Sequence, residues 1–306
     1  MKKIKIILPL FFVLFLIPSL ASAYWEWTPQ TKRWINPKYA VKETAEAQFA
    51  WAEEFTARKE YSTAIHKLEQ LMQYFPASPL AAKAQFRIGE IYQLNGDWQR
   101  AFKAYKKVID NYPGSDLVTE SIGRQFAIGE VRTQKDTGRF SFFRKDPSDM
   151  LSQTVDAAPY AAGAVKALYD LGHYQFRRGE YPECLETFDR LTNNYPESEY
   201  TEQAEFEAAQ AAFKLYRKQE NNNVMLTSAG NRLARFLVKY PDGRNRPAAE
   251  SLDRQVRELL AEKVLAVAEF YAKNKQAKAA GVYYQKVIRD YPDTAAAEKA
   301  KKHVPQ

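Results

Sequence analysis

One cysteine, three histidines and 12 glycines are all that a chain of 306 residues holds of these types. Each shortage excludes something. Cys184 stands alone, so no disulfide forms within the chain. His66, His173 and His303 have no carboxylate or cysteine partner at ligand spacing, so no metal site is expected. No glycine-rich phosphate loop and no nucleophile elbow occurs, and no cofactor is expected. Asp and Glu are numerous but scattered at surface-like helical positions beside Lys and Arg, as solvated faces are. With no catalytic residue to name, the chain reads as a non-enzyme. Long apolar runs are also scarce. Residues 6–17 form one of twelve, interrupted by Pro9, and that is too short to span a bilayer comfortably.

What surrounds that run gives it a meaning. Lys2, Lys3 and Lys5 precede it, Pro18 follows it, and Ala21-Ser22-Ala23 is a small-x-small cleavage site before Tyr24. Residues 1–23 therefore read as an export signal. No cysteine follows, which closes the lipid-anchored route of bacterial lipoproteins. The formal charge is +8, and removal of this segment leaves +5. That mild excess is spread along helices and points to no nucleic-acid partner. A hydrophobic content of 45% suits a folded protein.

The informative feature is a repeat. Pro76, Pro113, Pro196, Pro241 and Pro292 each follow an aromatic residue: Phe75, Tyr112, Tyr195, Tyr240 and Tyr291. Twelve positions before each proline stands a small residue: Ala64, Ala101, Cys184, Ala229 and Ala280. Apolar residues recur eight and five before it (Leu68 and Leu71, Tyr105 and Val108, Phe188 and Leu191), completing one helical stripe. Twenty-four before it come Ala52, Gly89, Gly172 and Ala268, small enough to let a first helix A approach its neighbour. At Pro241 that place holds Arg217, so irregular packing is expected there. Polar turns such as Asn95-Gly96-Asp97 and Arg178-Gly179-Glu180 divide helix A from helix B. The proline ends helix B.

A fixed offset at this period marks stacked helical hairpins, and the arrangement resembles the tetratricopeptide repeat. The expected fold is all-α, a solenoid of five to six such hairpins. A damaged unit fits the wide gap before Pro196, with helix A over 119–132, Leu151 in the helix-B stripe and Pro159 at its end. Surplus length is expected at 135–145 and at 219–227. The expected divisions are a signal at 1–23, a Trp/Pro-rich extended segment at 24–42, and repeats one and two at 43–116. Repeat three with its insertion follows at 117–160, then repeats four to six at 161–299 and a tail at 300–306.

Two segments are candidates for partner contact. Trp25, Trp27 and Trp34 lie in an extended strip ahead of the repeats, where tryptophan suits interface hot spots and membrane surfaces. The same strip, folded back, would instead cap repeat one. Arg139, Phe140, Phe142, Phe143 and Arg144 fall in the first insertion, which carries five basic residues counting Arg132. Loops on a rigid frame often bind, although these aromatics would equally cap a shortened repeat.

The unit 81–113, with Gly89-Glu90-Ile91-Tyr92, and the closing segments 264–271 and 287–294 resemble the BamD family of outer-membrane protein assembly factors. That resemblance extends over roughly 46–299. It implies a non-catalytic periplasmic scaffold, peripherally associated with the outer membrane. Its implied partners are a BamA-like barrel protein with periplasmic domains and unfolded outer-membrane proteins. Two other roles fit an exported array: a YbgF-like adaptor for cell-wall synthesis or division, and a carbohydrate-active envelope enzyme. The first usually carries a coiled coil that is not found before Glu43, and the second needs an acid pair or metal site that the sequence does not display.

Overall fold

A computed structural model describes residues 25–36, 40–135, 147–219 and 222–304. The expected export signal lies outside the described residues, as do Arg139, Phe140, Phe142, Phe143 and Arg144. The chain divides into two compact units, Met1–Asp97 and Trp98–Gln306. The first holds a short antiparallel hairpin, β1 (Glu26–Thr28) and β2 (Arg33–Ile35), then α1 (Ala45–Ala57), α2 (Tyr61–Tyr74) and α3 (Leu80–Leu94). The second runs α4 (Trp98–Asn111), α5 (Leu117–Lys135), α6 (Pro147–Ala157), α7 (Ala164–Arg178) and α8 (Tyr181–Asn194). It continues through α9 (Thr201–Lys218), α10 (Asn223–Lys239), α11 (Arg246–Lys273), α12 (Ala277–Asp290) and α13 (Ala295–Lys301). The fold is all-α of tetratricopeptide type: A and B helices alternate in six pairs among the described residues, and α13 closes the series.

Two turns, repeated, produce this pattern. At the end of α2, α8, α10 and α12 the aromatic before the proline leaves helical space, with φ between −122° and −137° at Phe75, Tyr195, Tyr240 and Tyr291. Proline's Cδ enforces that departure. The aromatic still donates its N–H to the residue four before it, as Phe75 does to Leu71 and Tyr195 to Leu191. Its carbonyl then accepts from the third residue on, Ser78, Ser115, Ser198 or Thr294, closing a turn with proline at its second place. Between A and B the chain passes through a left-handed residue: Lys59, Gly96, Gly179 or Lys275. The next N–H reaches back five residues, from Glu60 to Phe55, Asp97 to Tyr92, Glu180 to Gln175 and Gln276 to Tyr271. That is the Schellman closure, which satisfies a carbonyl the helix end would orphan.

The helices meet where A carries no bulk. A methyl group on Gly172 would run into the ring of Phe188 on α8, and one on Gly129 into Leu151 on α6. Both partners are fully buried and stand eight residues before a proline. Leu151 thus takes the stripe position expected of it. Helix α6 spans 11 residues where α8 spans 14.

Two expectations are corrected, and one length is explained. The fifth pair packs fully despite Arg217: Ala209 is the small residue of α9, buried in one core with Phe206, Leu233 and Phe236. Surplus residues beyond Ala209 lengthen α9, so counting back from Pro241 stops short of it. The surplus expected at 219–227 is mostly helix, because Asn222 caps α10 by accepting from the N–H of Met225. The last surplus, unlocated in the sequence, is α11 itself. At 28 residues it is about 42 Å long at 1.5 Å per residue. Its first half (Ala249, Val256) packs with α10, and its second (Ala261, Leu265, Ala268) with α12 and α13.

Gly172→Ala is expected to destabilise the protein by about 1–3 kcal/mol through overpacking against Phe188. Gly281→Ala, on α12 with nothing within 4 Å of the new methyl, is expected to stabilise by about 0.5–1 kcal/mol. Denaturant midpoints of the two variants decide it; equal shifts would contradict the close-approach assignment.

Candidate functional site

Counting from each small residue of helix A, positions −6, −2, +1 and +5 fall on one stripe at helical spacing, and they turn away from helix B. On α7 these are Lys166, Asp170, His173 and Arg177; on α9 they are Gln203, Glu207, Gln210 and Lys214. On α5 the first three are Gly123, Ala127 and Glu130. In the second unit α5, α7 and α9 lie side by side, so these stripes form one polar face.

Its centre is Glu207, only 4% exposed. Each carboxylate oxygen is held. His173 Nδ1 lies 2.9 Å from Oε2, while Gln203 Nε2 and the Tyr169 hydroxyl donate to Oε1 at 2.9 and 3.2 Å. Burial works against the charge of Glu207, but the bonds from His173, Gln203 and Tyr169 outweigh it and hold the carboxyl below its ordinary range. The same hydrogen bond raises His173 above its ordinary value, against partial burial. Tyr169 is raised by burial and by the Glu207 charge. Its ring stacks on Tyr200 at 5.1 Å and on His173 at 6.0 Å. One rung toward α5, Lys166 bridges Glu130 at 2.6 Å and Asp170 at 2.7 Å. The first unit repeats the motif, where Arg87 on α3 grips Glu53 on α1 through two bonds of 2.8 Å.

His173 therefore does have a carboxylate partner, and Glu207 is not a solvated surface acid. Both readings miss because the partners stand 34 residues apart, one repeat on, outside any local spacing. The legible signal is register: Glu53 to Arg87 and His173 to Glu207 both run from +1 of one A helix to −2 of the next. These contacts are structural rungs between successive A helices, and in them both oxygens of Glu207 are held. Among the described residues no group of three His, Cys, Asp or Glu is placed to hold a metal ion. Cys184 is buried in a packing position, its thiol pushed up to about 12 by burial.

The tryptophan strip is a β-hairpin rather than a plain extended segment. Trp27 and Trp34 pair across the strands with ring centroids 5.9 Å apart. Trp25, Trp27 and Trp34 are 64%, 47% and 63% exposed, and Lys32 and Arg33 beside them are also exposed. What covers the first pair is the segment after the hairpin, where Ala40 and Val41 are buried. Lys67, itself fully buried, secures it: Nζ donates to the Ala40 carbonyl at 3.4 Å and to Gln70 at 3.1 Å. The ammonium also sits 4.0 Å from the centre of the Trp51 ring. Burial, and secondarily the charge of Lys42, lower it to about 8.

Three segments match known family models. Residues 83–115 and 166–198 match a tetratricopeptide repeat model, and residues 216–304 match the YfiO model, described as "Outer membrane lipoprotein". The first two coincide with α3–α4 and α7–α8, the third with the chain from the end of α9 onward. The chain thus contains tetratricopeptide repeats, a module of protein–protein interaction, and ends in a YfiO-like segment. The unit 81–113, read in the sequence as BamD-like, matches the general repeat rather than YfiO. No curated protein matches the chain. Solved structures of similar fold include the C-terminal part of a tetratricopeptide-repeat protein from Cytophaga hutchinsonii, 14% identical. The alignment covers 86% of this chain and 88% of that one, at a TM-score of 0.36. PilF of Pseudomonas aeruginosa is 13% identical over 84% of this chain and 96% of its own, at 0.29. PilW, titled a "widely conserved type IV pilus biogenesis factor", is 14% identical over 85% and 100%, at 0.28. No described helix is long and apolar enough to cross a membrane.

The paired groups carry pH signatures. His173 contributes fully below its ordinary 6.5 and loses its contribution as pH rises through its higher folded value, while Glu207 contributes above 4.5 and fades as pH falls through its lower one. The stability lost in His173→Gln is therefore expected to be larger at about pH 6 than at about pH 8.5; a constant loss would contradict the rung. Lys67 has the opposite sense. Its buried charge opposes folding below about 8, and the penalty is relieved between there and 10.5. The denaturant midpoint of Lys67→Met minus that of the parent is expected to fall from about pH 7 to about pH 9.5; a flat difference would contradict burial of the ammonium.

Proposed function

We propose that this chain is a non-catalytic periplasmic scaffold that helps assemble outer-membrane β-barrel proteins, in the manner of BamD. The carrying observation is the YfiO match over 216–304, the span in which α11 joins two packed cores. The signal-like segment 1–23 supports export. The partners in this reading are a BamA-like barrel protein, through its periplasmic domains, and unfolded barrel substrates held as extended peptide on the A-helix face. A row of helices with paired polar rungs suits such a role: it is rigid, wet and free of committed chemistry.

The matched family is described as a lipoprotein, whereas the sole cysteine here is buried on α8. Trp25, Trp27 and Trp34 supply the membrane contact in this reading, with Lys32 and Arg33 adding charge toward anionic headgroups. Arg139, Phe140, Phe142, Phe143 and Arg144 are proposed as further partner contacts on their chemistry alone.

Crosslinking of the tagged protein in its native envelope is expected to recover a barrel protein with periplasmic domains. Recovery of cell-wall synthases or division proteins instead would overturn the assembly role. Joint replacement of Trp25, Trp27 and Trp34 by Ala is expected to release the protein from the membrane pellet with its melting temperature unchanged. Undiminished pelleting would contradict the membrane contact.

A further inference from the structure

A cavity of about 220 Å³ opens on the A-helix face between α5 and α7. It is smaller than the ~300 Å³ at which pockets for small molecules begin. It suits one side chain. The neighbouring interface, between α7 and α9, shows which one.

Register makes the two interfaces comparable residue by residue, because Gly129 under Leu151 and Gly172 under Phe188 fix equivalent positions. In the α7–α9 interface Tyr169, three before Gly172, stacks on Tyr200, nine before Ala209. In the α5–α7 interface the equivalent of Tyr169 is Phe126, and the equivalent of Tyr200 is Gly163. Tyr200 and Gly163 each lie four residues after a turn proline, Pro196 and Pro159. Gly163 adopts φ +95°, which L side chains rarely take, and a Cβ there would stand 3.5 Å from the Phe126 ring. On α5 the equivalent of Lys166 is Gly123, where an added methyl group would meet nothing within 4 Å. The two glycines leave empty the place that a tyrosine ring fills one repeat later. Leu151 and Ala167 form its apolar floor, and Glu130, Lys166 and Asp170 its rim, two carboxylates against one ammonium.

We infer that this cavity receives an aromatic side chain, phenylalanine or tyrosine, from an extended partner segment, stacked on Phe126 with an arginine or lysine beside it facing Glu130 and Asp170. The ring belongs there because the fold's own Tyr200 occupies the equivalent place, and the basic neighbour because the rim is net acidic. This rests on the peptide-holding scaffold reading above and adds the anchor it takes.

The probe is the peptide acetyl-Gly-Arg-Phe-Gly-Ser-amide carrying 4-fluorophenylalanine, titrated into the full chain and followed by ¹⁹F NMR. Saturable binding is expected, with the unlabelled Phe peptide competing at least about tenfold better than its Ala counterpart. Gly123→Leu fills the cavity from α5 and is expected to weaken binding by about tenfold or more without lowering the melting temperature. Asp170→Asn is expected to weaken the Arg-bearing peptide about threefold more than its Arg→Ala version. Equal binding by Gly123→Leu and the parent, no preference for the ring, or no binding at millimolar peptide would each overturn the inference. Binding only after deletion of residues 136–146 would assign the cavity to the chain's own aromatics and overturn it too. Envelope capture of a partner tests the scaffold reading separately: capture without peptide binding leaves that reading standing and removes only this pocket.

Discussion

Everything in this protein depends on helix B laying a large side chain over a residue in helix A that has almost none. Phe188 over Gly172 and Leu151 over Gly129 are the closest instances. Where that contact falls sets the rotation of helix A about its axis, and so decides which four residues face the neighbouring A helix and the solvent beyond. The proline turns and left-handed caps deliver the helices to that contact, but they do not choose its register. Glycine or alanine does. A bulkier residue would separate the pair and expose the buried stripe, at a typical overpacking penalty of about 1–3 kcal/mol.

Once the register is set, the A-helix face follows from it. Glu53 with Arg87, and His173 with Glu207, are the same geometric relation built from different side chains. These pairs tie successive A helices together where apolar packing has ended. Glu207 shows the principle at its strictest, since a buried carboxylate persists only with its acceptor sites satisfied. The face they leave is polar and regular. The same chain matches a repeat model and, at its end, a YfiO model.

Much of the fold is legible in the sequence because its punctuation is local. The aromatic–proline turns, Gly96 and Gly179, and the stripe through Leu68, Tyr105 and Phe188 each state their role within a dozen residues. Even the damaged third pair shows itself through Leu151 and Pro159. Counting fails where it crosses a variable length. Stepping back from Pro241 stops inside the lengthened end of α9 and sets Arg217 against Gly172; stepping forward from Pro196 by the thirteen residues that separate Pro159 from Gly172 reaches Ala209 directly. The face is harder to read, because its partners are one repeat apart and meet only through the stacking of α5, α7 and α9. The hairpin of Trp27 and Trp34 is visible as extended chain but not as a strand pair, since two short strands carry little pattern.

The central claim is that partners sit on the A-helix face. Site-specific photo-crosslinking in the native envelope tests it, with benzoylphenylalanine placed in turn at Ala127 and Gln210 on A helices and at Glu186 and Val238, exposed on α8 and α10. The account predicts adducts from the first two positions and none from the others. Adducts from Glu186 or Val238 with none from Ala127 or Gln210 would contradict it.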